Sequence, residues 1–481
     1  MLCELASVLA GPLTYLFNLC LSSGKCPSAW KRTIIRPLYK NGSKSHFNNY
    51  RPISNTSIFS HIIEKIVVSR IQAHFEGNNL WHSAQHGFRK RRSCNTQLLE
   101  VICDFQWMAD NGILFDCIYI DFSKAFEKIS IPLLINKCQL YGIGPQTKAW
   151  ITDYLTNRTQ EVAVGDALSS PMSVISGVPQ GSCLGPVLFC LFINDLPGVV
   201  RNSTIKMFAD DVKIYRPVMS EHEISLLQED LVALGQWCTA NSMFINETKC
   251  NAVHYLRRLP QHYHYFVVGK LISSVEYVCD LGICFDSSLK FNKHVSDITH
   301  KANYQLLRLR RTFSKFNLHS LISLYVSTVR PVLEYCSSVW YPLNKRDRER
   351  VERVQCRATK LIPYLSHLPY HQRMQRLQLP SLQFRRDRAV VINTFRIVRN
   401  IDNITPTHFF TFTEYSSTRQ HQHKIYPPCS QKRLGQNSLS SRVWKTWNSL
   451  PSEIVASTTV QSFKSSLAST DFYTRSYHNP F

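Results

Sequence analysis

Three aspartates occupy positions where carboxylates could bind divalent cations. Asp121 directly follows an apolar run, and Asp210 and Asp211 lie together within the segment 204–215. Magnesium prefers a few carboxylate oxygens together with water and phosphate oxygens. Two such ions about 4 Å apart can activate a hydroxyl and stabilise a leaving group in phosphoryl transfer. An Asp-Asp pair at a turn is usually only a turn, so its meaning depends on the surrounding sequence.

Short strands are predicted to carry these aspartates. Residues 115–120 predict a buried strand that ends on Asp121, and residues 204–215 predict two short strands that meet at Asp210 and Asp211. Adjacent charged residues flanked by apolar ones are unfavourable unless a metal neutralises them. The pattern therefore predicts that rigid strands bring three carboxylates together.

Helices and further strands are predicted over the first 286 residues. Apolar residues at helical spacing predict four helical segments, namely 5–21, 55–75, 130–157 with a break at 142–145, and 221–241. A strand is predicted over 33–39 and a β-hairpin over 161–176. Residues 176–182 predict a loop that opens into an apolar helix from about Leu184.

An excess of basic residues indicates a polyanionic partner. The 481 residues carry a net charge of +23, and residues 301–400 hold 20 Lys and Arg against 5 Asp and Glu. Nucleic acid, an acidic membrane surface and a merely solvated basic face are all compatible with the charge alone. The hydrophobic content of 44% excludes a disordered chain.

Cysteines and apolar runs indicate an intracellular protein, nuclear or cytoplasmic. The sixteen cysteines form no C-x-x-C pair, and most lie in apolar runs, so we expect free thiols and no zinc ribbon. Residues 1–20 predict an amphipathic helix and not a signal peptide. We find no uninterrupted apolar run of the ~18–20 residues that a membrane span needs.

Six segments carry specific motifs in a fixed order. They are 31–54 (KRTIIRPLYKNGSKSHFNNYRPIS), 85–90 (QHGFRK), 119–126 (YIDFSKAF), 176–195 (SGVPQGSCLGPVLFCLFIND), 208–211 (FADD) and 237–249 (WCTANSMFINETK). In sequence, order and spacing these segments resemble the reverse transcriptase domain of jockey-like non-LTR retrotransposons, the LINE type. The resemblance covers residues 15–290 and continues more loosely through 324–335 and 447–451.

The resemblance implies an α+β fold of the right-hand polymerase type and RNA-directed DNA synthesis. Residues 1–286 would form the fingers and an antiparallel palm sheet with the catalytic aspartates. Residues 287–400 would form a basic helical thumb, and residues 401–481 a C-terminal extension with no role that the sequence indicates. The implied partners are an RNA template, a DNA primer or target DNA, and dNTPs, with no membrane. The implied cofactor is Mg²⁺, as two ions, for which Mn²⁺ can substitute.

The resemblance also implies roles for individual residues. Asp121, Asp210 and Asp211 would be the catalytic, metal-binding carboxylates, and the backbone carbonyl of Phe122 would be a further metal ligand. The implied nucleotide-binding residues are Lys40 and Arg51 on the triphosphate, Phe126 as a gate against ribonucleotides, Gln180 and Gly181 against the template–nucleotide pair, and Lys249 near the pyrophosphate. Arg89 would contact template or nucleotide.

Several of these residues have a plainer interpretation that the sequence leaves open. Phe126 fits ordinary core packing, and Gln180 and Gly181 fit a simple turn from loop to helix. Lys40 fits a solvated loop, and Arg51 fits a surface ion pair.

One basic helix is predicted in the thumb-like region. Val351, Val354, Ala358 and Leu361 recur at helical spacing and predict one buried stripe. Three basic residues lie elsewhere on this helix, namely Arg353, Arg357 and Lys360. We expect them to contact the phosphate backbone of a duplex, with plain solvation as the alternative.

The sequence departs from the family pattern in two respects. Glu127 stands where the family usually has aspartate, at a position that is not expected to bind metal. The upstream endonuclease domain and part of the finger sequence are not found, so we expect the 3′ part of an element's second reading frame. A truncated protein that is impaired in catalysis and only binds nucleic acid, and a barely expressed fragment without function, remain as alternatives.

Overall fold

The chain folds around two five-stranded sheets, and the computed structural model describes residues 4–257, 262–312, 318–413, 421–430 and 432–470. The strands are β1 (Arg32–Tyr39), β2 (Tyr50–Asn55), β3 (Phe115–Ile120), β4 (Arg158–Val164), β5 (Ala167–Leu168), β6 (Met172–Val174), β7 (Thr204–Phe208), β8 (Asp211–Pro217), β9 (Asn251–Tyr255), β10 (Phe266–Val267), β11 (Lys270–Leu271), β12 (Ser273–Ser274), β13 (Tyr277–Asp280) and β14 (Ile283–Asp286). The helices are α1 (Ala6–Ser23), α2 (Ile58–Gly77), α3 (Cys94–Asp110), α4 (Ile131–Leu140), α5 (Pro145–Leu155), α6 (Gly185–Phe192), α7 (Glu221–Ala240), α8 (Asn292–Thr312), α9 (Leu318–Leu324), α10 (Arg330–Glu334), α11 (Lys345–Lys360), α12 (Tyr370–Leu377), α13 (Leu382–Val398), α14 (Leu439–Asn448), α15 (Ser452–Val455) and α16 (Val460–Ala468).

The central sheet has the strand order β12-β9-β3-β8-β7. β3 lies in its middle, and all six of its residues are buried because both faces of the sheet are covered. β8 and β9 flank β3 antiparallel, whereas the edge strand β12 runs parallel to β9. The predicted strand at 115–120 and the two predicted strands within 204–215 are confirmed.

Alternate residues of β3 enter two separate cores. Ile118 and Ile120 pack with helices α2, α4, α5, α6 and α7. Cys117 and Tyr119 face the other way and pack with α3, α8, α11, α13 and α14. Cys117 is a free thiol that packs as a small apolar residue, as expected.

The second sheet has the order β2-β1-β4-β5, with β6 also paired to β4. β1 runs antiparallel to β2 and parallel to β4. The predicted strand at 33–39 and the predicted hairpin within 161–176 are confirmed, and the turn of the hairpin lies at Gly165 and Asp166. This sheet forms the wall of a cavity opposite the central sheet.

The four predicted helical segments of the first half are confirmed as α1, α2, the pair α4 and α5, and α7. The predicted break between α4 and α5 has two local causes. Gly142 adopts a φ of +74°, which a glycine takes without strain. Pro145 then starts α5, at a position where its missing amide hydrogen is not needed.

The C-terminal half is helical, as predicted from residue 287 onward. On α11, Val351, Val354 and Ala358 are buried, while Leu361 just beyond the helix is half-buried, so the predicted stripe is confirmed.

The described residues beyond 400 extend the same core. The ring of Phe463 stacks on Phe395 of α13 with centroids 4.0 Å apart, and Trp447 is fully buried. The backbone amide of Lys432 donates to Asp110 Oδ1 at 2.9 Å, which ties this part of the chain to α3.

Helix α1 is the part of the chain that bears on the expectation of no membrane-spanning segment. By length and composition alone it is long and apolar enough to cross a membrane, and it is the one such helix in the described ranges. Two of its residues are buried, and Phe17 contacts Trp30 edge-on with centroids 6.2 Å apart. Gly24, at its C-terminal end, lies so close to α5 that a Cβ there would be 2.7 Å from Ala149 Cβ. These contacts fasten α1 to the rest of the chain.

Candidate active site

The register of the central sheet brings the three predicted carboxylates together. Ile120 of β3 pairs with Val212 of β8, and one further step along both strands brings Asp121 opposite Asp211. Asp210 lies in the tight turn just before β8. Because the strands are hydrogen-bonded and buried, they hold these side chains at one end of the sheet.

A two-residue turn joins β7 to β8 and bears Asp210. Phe208 pairs with Asp211 across it, so Ala209 and Asp210 alone form the turn. Ala209 has a φ of +53°, in the left-handed region that costs a residue with a Cβ roughly 1–2 kcal/mol. The turn therefore depends on outside contacts to keep this conformation, and with it the position of Asp210.

Asp210 is harder to ionise than an ordinary aspartate. Burial withholds water from it and raises its pKa, and repulsion from Asp121 adds to that effect. Arg51 and Lys40 lie near enough to oppose the rise in pKa. The ionised form is therefore unfavourable in this position, and a bound divalent cation would stabilise it.

The side chain of Asp211 reaches solvent, yet its surroundings raise its pKa to about 6. Loss of water on its protein side is the largest cause, followed by repulsion from Asp210 and Asp280. Lys213 opposes the rise in pKa; it is fully buried and ion-paired with Asp280. This pair was not predicted from the sequence. The available signal in the sequence was a lysine between the apolar residues Val212 and Ile214 of the strand.

A cavity of about 720 Å³ opens between the two sheets beside the carboxylates. Eight predicted site residues line it, namely Lys40, Arg51, Asp121, Phe122, Phe126, Gln180, Asp210 and Lys249. Lys249 Nζ lies 3.6 Å from Asp121 Oδ2. The cavity thus combines acidic and basic walls, a combination that suits an anionic ligand held with cations.

The backbone of Phe122 is oriented toward the turn that bears Asp210. Phe122 forms an isolated antiparallel bridge with Ile245, and the hydrogen bonds of that bridge belong to its neighbours. One of them joins the amide of Asn246 to the carbonyl oxygen of Asp121 at 2.7 Å. In such a pair the bridged residue's own amide and carbonyl point to the opposite edge of its strand. That edge is the one paired with β8, so the carbonyl is on the side a metal ligand would need.

The ring of Phe126 is fixed at the cavity wall. It stacks on Phe189 of α6 with centroids 4.6 Å apart and planes inclined by 19°. It is half-buried, so one part packs against the core while another part faces the cavity. Core packing and a gating role therefore do not exclude each other.

The loop that contains Gln180 and Gly181 joins the two sheets behind the cavity. The amide of Ser54 in β2 donates to the carbonyl oxygen of Gln180 at 2.7 Å, and the amide of Val178 donates to that of Phe126 at 2.8 Å. Gly181 has a φ of +120°, and a Cβ there would lie 2.8 Å from the oxygen of Ser54. Glycine is therefore required for this close approach of two backbones. Gln180 lines the cavity, whereas Gly181 serves the contact with β2.

Arg89 is turned away from the cavity. Its buried guanidinium pairs with Glu76 at 3.2 Å and donates to the carbonyl oxygens of His82 and Gln85. Because protein groups occupy its donors, the predicted contact with template or nucleotide is not supported by its position. Its contacts are those of a residue that braces the segment around Gln85.

The three basic residues of α11 lie outside the cavity, on the exposed side of the helix. Arg357 donates to Asn303 of α8 at 3.0 Å, and Arg353 pairs with an acidic residue one turn away at 3.3 Å. A groove of about 540 Å³ between α8 and α11 is lined in part by Arg310, Arg357 and Lys360. Basic side chains along such a groove suit a phosphate backbone.

A second group of ligand-type side chains lies behind the loop. His61, Glu64 and Cys183 bring potential metal-ligating atoms within 4.8 Å of one another. Both oxygens of Glu64 already accept hydrogen bonds, one from the hydroxyl of Ser60 and the other from the amide of Cys183. We therefore interpret this group as a hydrogen-bonded support that fastens the loop to α2.

Comparison of the sequence with known proteins identifies the family to which the chain belongs. Residues 39–305, more than half of the chain, match the family described as reverse transcriptase (RNA-dependent DNA polymerase). The probable RNA-directed DNA polymerase from transposon X-element of Drosophila melanogaster is 27% identical over 73% of this chain and 39% of its own length. The RNA-directed DNA polymerase from mobile element jockey of the same species is 27% identical over 76% of this chain and 41% of its own length. The chain thus spans about two fifths of the length of these curated relatives. A solved telomerase structure from Candida tropicalis, in complex with a fragment of telomeric RNA, aligns with a TM-score of 0.42 and 12% identity over 74% of this chain and 57% of that one.

Replacement of Asp211 by asparagine should stabilise the metal-free protein at high pH. Because the folded-state pKa of Asp211 is raised to about 6, ionisation of Asp211 lowers stability as pH rises through the window from about 4 to 6. Asp211→Asn removes that penalty, so its thermal midpoint should exceed that of the wild type at pH 8 and match it near pH 4.

Metal should reverse this order, since ligand binding stabilises the folded state. Addition of Mg²⁺ at pH 8 should raise the midpoint of the wild type more than that of Asp211→Asn. Asp166→Asn, in an exposed turn, is the control and should behave as wild type. Equal midpoints for wild type and Asp211→Asn at pH 8 without metal would show that ionised Asp211 does not destabilise the folded protein, and would contradict its raised pKa.

Proposed function

The chain belongs to the reverse transcriptase family, and we propose that it is an RNA-directed DNA polymerase of a non-LTR retrotransposon. The proposed reaction is nucleotidyl transfer of dNTPs onto the 3′-hydroxyl of a DNA primer, directed by an RNA template. The single observation that carries the proposal is the arrangement of carboxylates at the end of the central sheet beside a cavity lined by basic side chains. This convergence favours a polymerase over a protein that only binds nucleic acid.

Membership of the family implies dependence on a divalent metal. We propose two Mg²⁺ ions, for which Mn²⁺ can substitute, held by Asp121, Asp210, Asp211 and the carbonyl oxygen of Phe122. The carboxylates fit this role because partial loss of water and repulsion between them make the ionised forms of Asp210 and Asp211 unfavourable unless a cation binds. Carboxylate and carbonyl oxygens are also the ligands that magnesium prefers. When bound, the ions would supply Lewis-acid activation of the hydroxyl and charge stabilisation at the phosphates.

The basic residues of the cavity are proposed to hold the incoming triphosphate. Arg51 offers a planar fork and Lys40 a point charge, both suited to phosphate oxygens. Lys249, which approaches Asp121, is proposed to lie near the departing pyrophosphate and to supply it with a proton. All three side chains are exposed to the cavity, so a phosphate would not have to displace a buried partner.

The remaining cavity residues are proposed to select and position the nucleotide. Phe126, held by its stack on Phe189, would occupy the space that a 2′-hydroxyl needs and so disfavour ribonucleotides. Gln180 and the backbone at Gly181 would lie against the template–nucleotide pair. The bond from Ser54 to the carbonyl of Gln180 supports this role, because it keeps the loop rigid.

The basic groove between α8 and α11 is proposed to hold the duplex. Arg357 and Lys360 line this groove, and Arg353 extends the basic face of α11. A hybrid duplex would be gripped mainly through phosphates and minor-groove hydroxyls, so binding should be weakly sequence-specific.

Primer extension tests the proposed reaction. The wild type should extend a DNA primer on an RNA template with Mg²⁺ and dNTPs, and the double variant Asp210→Asn, Asp211→Asn should lose at least about a hundredfold in rate, because the charges that hold the ions are gone. Asp166→Asn is the control for a lost surface charge. Full extension by the double variant, or none by a wild type that still binds primed template, would refute the polymerase proposal.

Salt dependence tests the proposed grip on the duplex. The affinity for an RNA–DNA hybrid, measured by fluorescence anisotropy, should fall steeply between about 50 and 200 mM salt. Arg357→Gln and Lys360→Gln should each reduce the slope of log affinity against log salt by about one, since each removes one phosphate contact. Lys65→Gln, on the exposed side of α2, should leave the slope unchanged. A slope that neither groove variant alters would exclude this groove as the duplex site.

A further inference from the structure

We propose that Gln85 is a positioning residue that holds the Asp210–Asp211 turn in the geometry required for metal binding. The inference rests on the proposed function, because it assigns a support to the same site. Gln85 lies in the motif QHGFRK, for which the resemblance implied a role for Arg89 alone.

One oxygen of Gln85 joins two backbones. Its side chain is 0% exposed, and Oε1 accepts the amide hydrogen of Ala209 at 2.9 Å and that of Gly87 at 2.7 Å. The first of these amides belongs to the left-handed residue of the turn. Because a buried amide without a partner is strongly unfavourable, this bond favours the one conformation of the turn in which it forms.

The segment before Gly87 forms an extra edge on the central sheet. The amide of Met207 in β7 donates to the carbonyl oxygen of Ala84 at 2.9 Å, and the amide of His86 donates to that of Met207 at 2.9 Å. Gln85 therefore forms a parallel bridge with Met207, three residues before Asp210 of the turn. This pairing fixes the backbone from which the Gln85 side chain reaches the turn.

Gly87 fits this arrangement through its size. A Cβ at this position would lie 2.4 Å from the amide nitrogen of Ala209, which is closer than a Cβ can approach a non-bonded backbone atom. The segment and the turn are thus packed against each other with no space for a side chain. Arg89 completes the support, since its guanidinium donates to the carbonyl oxygen of Gln85 at 3.3 Å.

These contacts give Gln85 a specific effect on the carboxylates. Ala209 directly precedes Asp210, so any relaxation of its strained conformation moves Asp210 relative to Asp121 on the neighbouring strand. Residues that orient metal ligands from behind typically affect metal affinity about 10–100-fold when they are replaced. The contact of Gln85 with the turn is a hydrogen bond through one atom, and a substitution can remove it at nearly constant volume.

Mn²⁺ titration of the metal-free protein by calorimetry tests the inference. Gln85→Met removes the acceptor and keeps the volume, and its Mn²⁺ affinity should fall at least about tenfold. Gln85→Glu keeps an acceptor oxygen on a side chain of the same length. The Nε2 atom of Gln85 has no hydrogen-bond partner among the described residues, so this change removes no bond. Because the site is fully buried, it favours the neutral form of the new carboxyl, and the affinity should recover to within about threefold of wild type.

A matched control separates positioning from general loss of stability. Gln355 of α11 is also 0% exposed and makes hydrogen bonds to Tyr325, Tyr370 and Pro380, far from the turn. Gln355→Met should lower the thermal midpoint and leave Mn²⁺ affinity at the wild-type value. Equal Mn²⁺ affinity for Gln85→Met and Gln355→Met, or no recovery in Gln85→Glu, would overturn the inference.

Two further measurements cover a variant that does not fold and separate this inference from the polymerase proposal. If Gln85→Met does not fold, Gly87→Ala replaces it, because its Cβ would lie 2.4 Å from the amide nitrogen of Ala209 and 3.0 Å from Gln85 Oε1 and so disturb the hydrogen bond between them. Gly87→Ala should weaken Mn²⁺ binding, and unchanged binding would overturn the inference. Primer extension is measured in parallel. A wild type that binds Mn²⁺ but extends no primer would refute the polymerase proposal while the comparison of Gln85 variants still decides whether Gln85 positions the turn.

Discussion

Asp210 and Asp211 are held at one end of the central sheet against partial loss of water and repulsion from neighbouring carboxylates. Asp121 and Asp211 face each other across β3 and β8, and the turn adds Asp210 beside them. In the absence of cations the ionised cluster lowers the stability of the folded state. The raised pKa values of Asp210 and Asp211 reflect the same effect, because folding then favours their protonated forms. The hydrogen-bonded register of the strands supplies the rigidity that keeps the charges together. The buried Lys213 compensates part of the charge from behind.

The burial of β3 on both faces explains how the whole chain is arranged around that end of the sheet. One face packs with α2 and α4 to α7, and the other with α3 and the helices of the C-terminal half. The residues beyond 400 that the structure describes therefore contribute to the core that holds β3 from one side. The second sheet and the loop at Gln180 enclose the opposite side of the cavity. These elements therefore line the same cavity as Asp121 and Asp210.

Much of this arrangement could be predicted from the sequence, because the signals were local. The apolar run 115–120, the break at Gly142 and the Asp210–Asp211 pair each specify their own backbone, and the structure has them where the patterns indicated. Other features could not be predicted because they join distant parts of the chain. The partner of Lys213 is 67 positions away, and Gln85 meets Ala209 across 124 positions. Arg89 illustrates the same limit: the resemblance implied a contact with template or nucleotide, and its buried ion pair with Glu76 could not be read from its own segment. The packing of the Ser- and His-rich segment beyond residue 400 likewise followed no periodic pattern.

Electron paramagnetic resonance of bound Mn²⁺ tests most directly whether the three carboxylates form one two-metal site. The protein would be loaded with Mn²⁺, primed RNA template and a non-hydrolysable dNTP analogue, and compared with Asp121→Asn. We expect a spectrum with magnetic coupling between two ions about 4 Å apart in the wild type, and loss of that coupling in the variant. Mn²⁺ bound without coupling, or coupling that survives the loss of the Asp121 charge, would refute a two-metal site formed by the three carboxylates.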